Sequence, residues 1–227
     1  SAFEDCTGTE DDEGIKSLTF IDGINITSIG ENAFKGCTKL RFSYVTADTT
    51  DDSTLSDDSK CYDRIYIPDT VTSIGASAFE GCSSINYIDI TENDSYTTIN
   101  DKTFKGLSYL KEIVIPNNVV TIGDEAFKAC ERAETLTFET GINLVTIGAS
   151  AFENCMNLES VYIPDSVTSI GDSAFEDSFI KTINIIIKIF FKTFIPCKCF
   201  FKVFCIFTDS CFIIKMERCR INLCDFF

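Results

Sequence analysis

Short alternations of apolar and polar residues recur through the first 185 residues of this chain. Each has two apolar positions, one on either side of a central residue that is polar in all but one case, Val114. This period of two, rich in β-branched residues, predicts a strand with one buried face. A further apolar residue stands three positions ahead of most of them, as at Leu110 and Leu158. The seven alternations are centred on Thr19, Tyr66, Asp89, Val114, Thr137, Tyr162 and Asn184.

A phenylalanine marks the same point in every unit, as in the near-identical segments 74–82 and 147–155. The six phenylalanines are Phe34, Phe79, Phe104, Phe127, Phe152 and Phe175. The steps between them are 45, 25, 23, 25 and 23 residues. A repeated step of this length is typical of a solenoid of stacked coils, with one strand of each coil forming a parallel sheet. A solenoid favours a binding surface over a catalytic pocket.

The rest of each coil holds a turn, a second short strand and a compact connection. A proline after the strand fixes φ and favours a turn, and a segment such as Val-Thr-Ser-Ile predicts a short strand on the opposite side. The glycine that follows is replaced only by Asn100, which predicts a positive φ. Ala78, Phe79 and Cys82 are spaced to point inward from a single helical turn. The glycines are Gly30, Gly75, Gly123, Gly148 and Gly171.

The true repeat is a pair of unlike coils, because Pro68, Pro116 and Pro164 are 48 residues apart. The interval from the strand end to the Ile of Ile-Gly alternates between nine and seven residues. Phe20 begins a long interval and Ile67 a short one, so their strands belong to successive coils. The extra residues at about 41–61 are therefore predicted to be an inserted acidic loop rather than a missing coil.

Residues 162–175, Tyr-Ile-Pro-Asp-Ser-Val-Thr-Ser-Ile-Gly-Asp-Ser-Ala-Phe, resemble the BspA-type leucine-rich repeat, and the likeness recurs over about residues 15–185. The resemblance implies a leucine-rich-repeat solenoid with a parallel β-sheet on its concave face. Short strands, turns and single helical turns would form the other sides. Members of the family are mostly surface or secreted proteins of bacteria and parasitic protists, associated with adhesion. The motif itself consists of packing and turn positions, so it carries no binding residues.

The outward positions of the long strands form the predicted partner-binding set, since the concave sheets of stacked repeats bind ligands. Tyr66, Tyr87 and Tyr162 are the first choices because Tyr is enriched in binding hot spots, although tyrosine is also an ordinary strand former. The set comprises Arg64, Tyr66, Tyr87, Asp89, Lys111, Glu112, Val114, Thr135, Thr137, Ser160 and Tyr162, followed by Asn184.

The charge of the chain changes sign near residue 181. The whole chain has 19 Lys and Arg, 35 Asp and Glu, and a net charge of −16. Residues 1–180 are strongly acidic, and residues 181–227 are basic. An acidic solenoid argues against nucleic-acid binding, which needs a basic face. It is also repelled by anionic membranes, so membrane contact is expected only through the C-terminal tail.

The chain contains no histidine, which removes Ser-His-Asp and Cys-His catalysis and Cys/His zinc sites. We therefore predict no enzymatic activity, no cofactor and no metal. Cys37, Cys82, Cys130 and Cys155 share a slot that holds Leu107 in another coil, which predicts buried core thiols. A Cys130–Cys155 disulfide is the alternative. The aspartates of residues 48–58 lack the ordered pattern of a calcium loop.

The repeat ends near Ile186, and Phe, Ile, Lys and Cys dominate the remainder. We predict two parts, a solenoid at 1–187 and a tail of uncertain structure at 188–227. Four lysines and a proline within 183–207 disfavour a transmembrane helix. An amphipathic membrane segment, a disulfide-linked cap and a non-selected translation product are the remaining alternatives.

These patterns predict a non-enzymatic module that binds a protein ligand through the concave sheet. Cell-surface or secreted adhesion is the preferred role, as the resemblance implies. A cytoplasmic interaction scaffold of the same fold is the alternative, and free thiols would be natural there.

Overall fold

The computed structural model describes residues 17–21, 26–45, 64–90, 95–185, 204–208 and 211–215. Two columns of strands run along the chain on opposite sides of each coil. The longer strands, here called the long-strand sheet, are β1 (Ser17–Ile21), β3 (Arg41–Val45), β4 (Arg64–Tyr66), β6 (Tyr87–Asp89), β8 (Glu112–Ile115), β10 (Thr135–Phe138), β12 (Ser160–Ile163) and β14 (Thr182–Ile185). The short-strand stack comprises β2 (Ser28–Ile29), β5 (Ser73–Ile74), β7 (Thr98–Ile99), β9 (Thr121–Ile122), β11 (Thr146–Ile147) and β13 (Ser169–Ile170).

Strands of neighbouring coils pair in parallel, two by two among the long strands, where each pair adjoins the next. In the long-strand sheet, β8 pairs with β10 so that Ile113 faces Leu136, and β12 pairs with β14. In the short-strand stack, β7, β9, β11 and β13 form one continuous four-stranded sheet. This arrangement confirms the predicted solenoid, with inward residues such as Ile113 and Val161 buried and Ile88 half-buried.

The six repeat phenylalanines form one stacked column through the core. All six are buried, and successive ring centroids lie 5.2–5.8 Å apart. That spacing is close to the distance between paired strands and lies within the favourable range for aromatic pairs. The stacked rings therefore fix the distance between successive coils on the side of each coil that lies between the two columns of strands.

The connections around the phenylalanines are here called the turn column. Backbone hydrogen bonds between coils hold them, and the helical turn that was predicted there does not form. Three N–H groups of one coil donate to three carbonyls of the next, as from Phe127 N to Ala151 O at 2.8 Å. Successive pairs of coils repeat this set, with lengths of 2.7–3.0 Å. Two positions in each connection have positive φ, as at Glu125 and Ala129. These left-handed residues turn the N–H groups toward the next coil, which a helix cannot do.

The glycine of Ile-Gly has a different role from the one predicted. Its φ is not positive at any of the five positions, so the prediction of a left-handed turn there is wrong. A Cβ built on Gly148 would lie 2.5 Å from Gly123 C and 2.6 Å from Asp124 N of the preceding coil. The close approach of two backbones therefore favours glycine here, although one coil accommodates Asn100. In the first coil nothing lies within 4 Å of a Cβ built on Gly30.

The predicted insert begins with a strand. Residues 41–45 form β3, which pairs with β1 and lies between β1 and β4 in the long-strand sheet. In the short-strand stack β2 pairs directly with β5, so β3 adds a strand to one side without adding a full coil. The prediction of a loop therefore fails for these five residues. The acidic segment at 46–63 and its aspartates lie outside the described residues.

The last strand of the solenoid, β14, ends at Ile185, where the repeat was predicted to end. Within the predicted tail, β15 (Phe204–Thr208) and β16 (Cys211–Lys215) form an antiparallel hairpin, and β16 lies beside β14. Among the residues described, no helix has the length and apolarity needed to cross a membrane.

Candidate binding surface

The predicted binding residues whose side chains are described lie on the outer side of the long-strand sheet. In β8, β10 and β12 the outward residues alternate with buried ones, so that Glu112, Thr135 and Ser160 form one row of side chains. Val114, Thr137 and Tyr162 form the next row. Sequence periodicity therefore placed these residues on one surface.

Tyr87 is held in place by cations on both sides. Arg64 Cζ lies 5.3 Å from the centre of its ring and Lys111 Nζ lies 5.4 Å from it, distances at which a cation interacts with an aromatic face. Arg64 also donates to Asp89 Oδ2 at 3.1 Å. Tyr87 is thus half-buried and positioned by two cations, of which Arg64 is paired with Asp89.

Tyr162 stands at the other end of the same surface and is 47% exposed. Its register partner in β14 is Asn184, and β10 with Thr137 lies on the other side of its strand. Tyr66 lies in β4, and its side chain lies outside the described part of the protein, as does that of Asn184. Of the two preferred tyrosines whose side chains are described, Tyr162 has the more exposed ring.

A groove of about 1380 Å³ lies at the C-terminal end of this surface. Thr135 and Ser160 of the predicted set line it, together with two exposed apolar residues that the sequence analysis missed, Met156 and Phe179. The sequence indicates this exposed site, because the interval from Phe175 to Ile180 is one residue shorter than the interval from Phe152 to Leu158. A short interval in one repeat therefore marks a local change in surface shape.

The cysteine slot is buried in every described coil, which confirms the predicted core thiols. Cys82, Cys130 and Cys155 donate to the carbonyl of the phenylalanine in the preceding coil at 3.0–3.4 Å. Ser178 makes the same bond to Phe152 O at 2.8 Å. Cys130 and Cys155 are both free thiols, so they do not form the alternative disulfide. Burial raises the pKa of the Cys155 thiol to about 12, which makes it a poor nucleophile.

Part of the acidic charge is used in ion pairs along the turn column. Lys105 Nζ lies 2.6 Å from Glu125 Oε2, and Lys128 Nζ lies 2.8 Å from Glu153 Oε2. The hydrogen bond and charge of Lys105 hold the pKa of the Glu125 carboxyl below its usual value. These carboxylates stabilise contacts between coils, so they are not part of the candidate surface.

No described residues converge on a chemical centre. Within the described ranges, no group of three or more His, Cys, Asp or Glu could hold a metal ion. The features that remain are the outward residues of the long-strand sheet and the adjoining groove, which together form an open surface.

Parallel coils with a stacked core and an open sheet define a leucine-rich-repeat solenoid. The chain belongs to the family of BspA type leucine rich repeat regions, with six copies that span residues 10–93 and 89–203. The second range extends beyond Ile185, where the recognisable repeat was predicted to end. Leucine-rich-repeat proteins of this kind are typically non-catalytic, and the fold is that of a protein-interaction module.

Solved structures of bacterial proteins share this fold. The pneumococcal vaccine antigen PcpA is 25% identical, with a TM-score of 0.57 over 75% of this chain and 40% of that one. A leucine-rich repeat protein from Bacteroides ovatus ATCC 8483 is 24% identical, with a TM-score of 0.44 and coverages of 70% and 47%. A leucine rich cell surface protein from Faecalibacterium prausnitzii A2-165 is 22% identical, with a TM-score of 0.41 and coverages of 75% and 54%.

The chain thus spans between 40% and 54% of the length of these three proteins. No curated protein matches the sequence.

Proposed function

We propose that this chain is a non-enzymatic adhesion or recognition module, displayed on a cell surface or secreted. It engages a protein ligand through the outward face of the long-strand sheet. The observation that carries the proposal is the difference between inward and outward positions of the long strands. Inward positions repeat nearly unchanged from coil to coil, whereas outward positions change from Arg64 and Tyr87 to Glu112, Thr135 and Ser160.

The arrangement of this face supports protein binding. Tyr87, flanked by Arg64 and Lys111, and the exposed Tyr162 lie three strand steps apart, which is about 14 Å for paired strands. Tyr and Arg are enriched among residues that dominate binding energy, and a face of this width suits a protein surface. The description of one similar structure as a cell surface protein and of another as a vaccine antigen supports display outside the cell.

The test uses a triple variant, Tyr66→Ala with Tyr87→Ala and Tyr162→Ala, in the full chain. Binding to cells or to an isolated partner should fall at least about tenfold, since hot-spot residues contribute roughly 2 kcal/mol or more each. The matched control replaces Val120, Val145 and Thr168 by Ala, because these residues are exposed beside the short-strand stack. Unchanged binding by the first variant, with normal melting of both, would contradict the proposed face.

A further inference from the structure

The final coil lacks a turn that the earlier coils share. In five coils the residue three positions after the cysteine slot donates its N–H back to that slot, as from Leu158 N to Cys155 O at 3.1 Å. In the last coil Ile180 follows Ser178 by two positions, and no turn forms there. This connection is therefore shorter than the corresponding connection of the preceding coil. The surface consequently has a step between the last two described coils.

An apolar side chain occupies this step. Phe179 is 70% exposed, more than any other large apolar residue among the described side chains, and Met156 of the preceding coil is 39% exposed. Both line the groove of about 1380 Å³ that continues onto Thr135 and Ser160 of the proposed binding face. Exposed apolar area at one place, bordered by polar residues, is typical of an interaction site.

The charged residues around the groove are mostly acidic. Its lining includes Glu134, Glu159 and Asp177, with Lys181 as the basic residue. Lys181 Nζ lies 2.6 Å from Glu159 Oε1, so its charge is already matched. The groove therefore combines exposed apolar side chains with an excess of carboxylates.

We propose that this groove binds a partner segment in which Lys or Arg stands beside apolar side chains. The apolar side chain of the partner covers Phe179 and Met156, and its cation pairs with Glu134. This inference rests on the proposed function, since it gives the chemistry of the partner at one end of that face. Complementary charge would orient the partner segment, with its cation toward Glu134 and its apolar side chain toward Phe179.

The test uses the full chain and two sets of short immobilised peptides that share their apolar residues. One set has Lys or Arg where the other has Glu or Asp. The full chain should bind the basic set, and Phe179→Ser should weaken that binding about tenfold, as expected when a buried Phe contact is lost. Glu134→Lys should weaken binding to the basic set and strengthen binding to the acidic set.

Two exposed residues outside the groove provide matched controls. Tyr109→Ser removes an exposed aromatic residue from an earlier coil, and Glu31→Lys reverses an exposed charge in the first coil, so both should bind as the unchanged protein does. Equal binding of the two peptide sets, binding to neither, or a Phe179→Ser result equal to that of Tyr109→Ser overturns the groove assignment. Failure of the proposed face is distinguishable, because it would show as unchanged partner binding in the triple tyrosine variant.

Discussion

Gly148 lies so close to Gly123 of the preceding coil that a Cβ at 148 would stand 2.5 Å from the Gly123 carbonyl carbon. The clash would be with backbone on both sides, so no side-chain rotation can relieve it. We expect Gly148→Ala to lower the free energy of unfolding by about 1–3 kcal/mol, the usual cost of overpacking. Urea denaturation measures this change.

The first coil provides the control for that substitution. Gly30 occupies the same motif position and has nothing within 4 Å of a built Cβ. Gly30→Ala should therefore leave stability unchanged or raise it by up to about 1 kcal/mol through the unfolded state. Equal losses at both positions would show that local conformation, and not contact between coils, requires the glycine.

Ala129 carries a left-handed backbone at a position that glycine occupies in three other coils. Its φ is 60°, whereas Gly36, Gly81 and Gly106 have φ of 73–77° in the same slot. Since a left-handed residue with a Cβ costs about 1–2 kcal/mol, Ala129→Gly should raise the free energy of unfolding by about 0.5–1 kcal/mol. Ala149→Gly, where φ is not positive, should lower it by a similar amount. Losses of equal size at both sites would refute the strain argument.

Tyr96 is buried in a slot that holds Val, Leu or Ile in other coils, and its hydroxyl has no hydrogen-bond partner among the described residues. An unpaired buried hydroxyl costs about 1–3 kcal/mol. Tyr96→Phe should therefore raise the melting temperature, while Tyr162→Phe, on an exposed ring, should leave it unchanged. A lower melting temperature for Tyr96→Phe would mean that the hydroxyl is satisfied in solution.

The buried thiols predict a loss of stability in alkaline solution. Burial raises the pKa of Cys155 from 9.0 to about 12. The native state therefore holds the proton more tightly than the unfolded chain, and this contribution is complete below pH 9.0 and lost as the pH rises toward 12. We expect the difference in unfolding free energy between the unchanged protein and Cys155→Ser to fall across this interval. A difference independent of pH would contradict the burial of this thiol.

The strands and the core could be predicted because the same repeated sequence pattern determines both. The alternation around Val114 and the spacing of Phe127 and Phe152 determine which side chains face inward in every coil. Once stacked, each coil repeats the packing of its neighbour, so local pattern and tertiary contact agree. The same logic placed Glu112, Thr135 and Ser160 together on one surface.

Distances between coils could not be predicted from a pattern within one coil. The role of Gly148 depends on the position of Gly123 in the preceding coil. The residue spacing around Phe127 suggested a helical turn, whereas the backbone N–H groups there donate hydrogen bonds to the next coil. The added strand β3 was missed because the extra residues were interpreted from the interval between coils, although Phe42-Ser43-Tyr44 alternates and pairs in register with Leu18-Thr19-Phe20. Phe179 was missed because its exposure results from one absent residue.

The most direct test of the proposed function is a photo-crosslink from the binding face. Benzoylphenylalanine is placed at position 162 in one variant and at position 145 in another, since Tyr162 and Val145 are similarly exposed on opposite columns. Light is applied while the full chain is bound to intact cells. We predict a crosslinked protein partner from position 162 and none from position 145. Crosslinking from 145 alone, or from neither position while binding persists, would contradict recognition through the long-strand sheet.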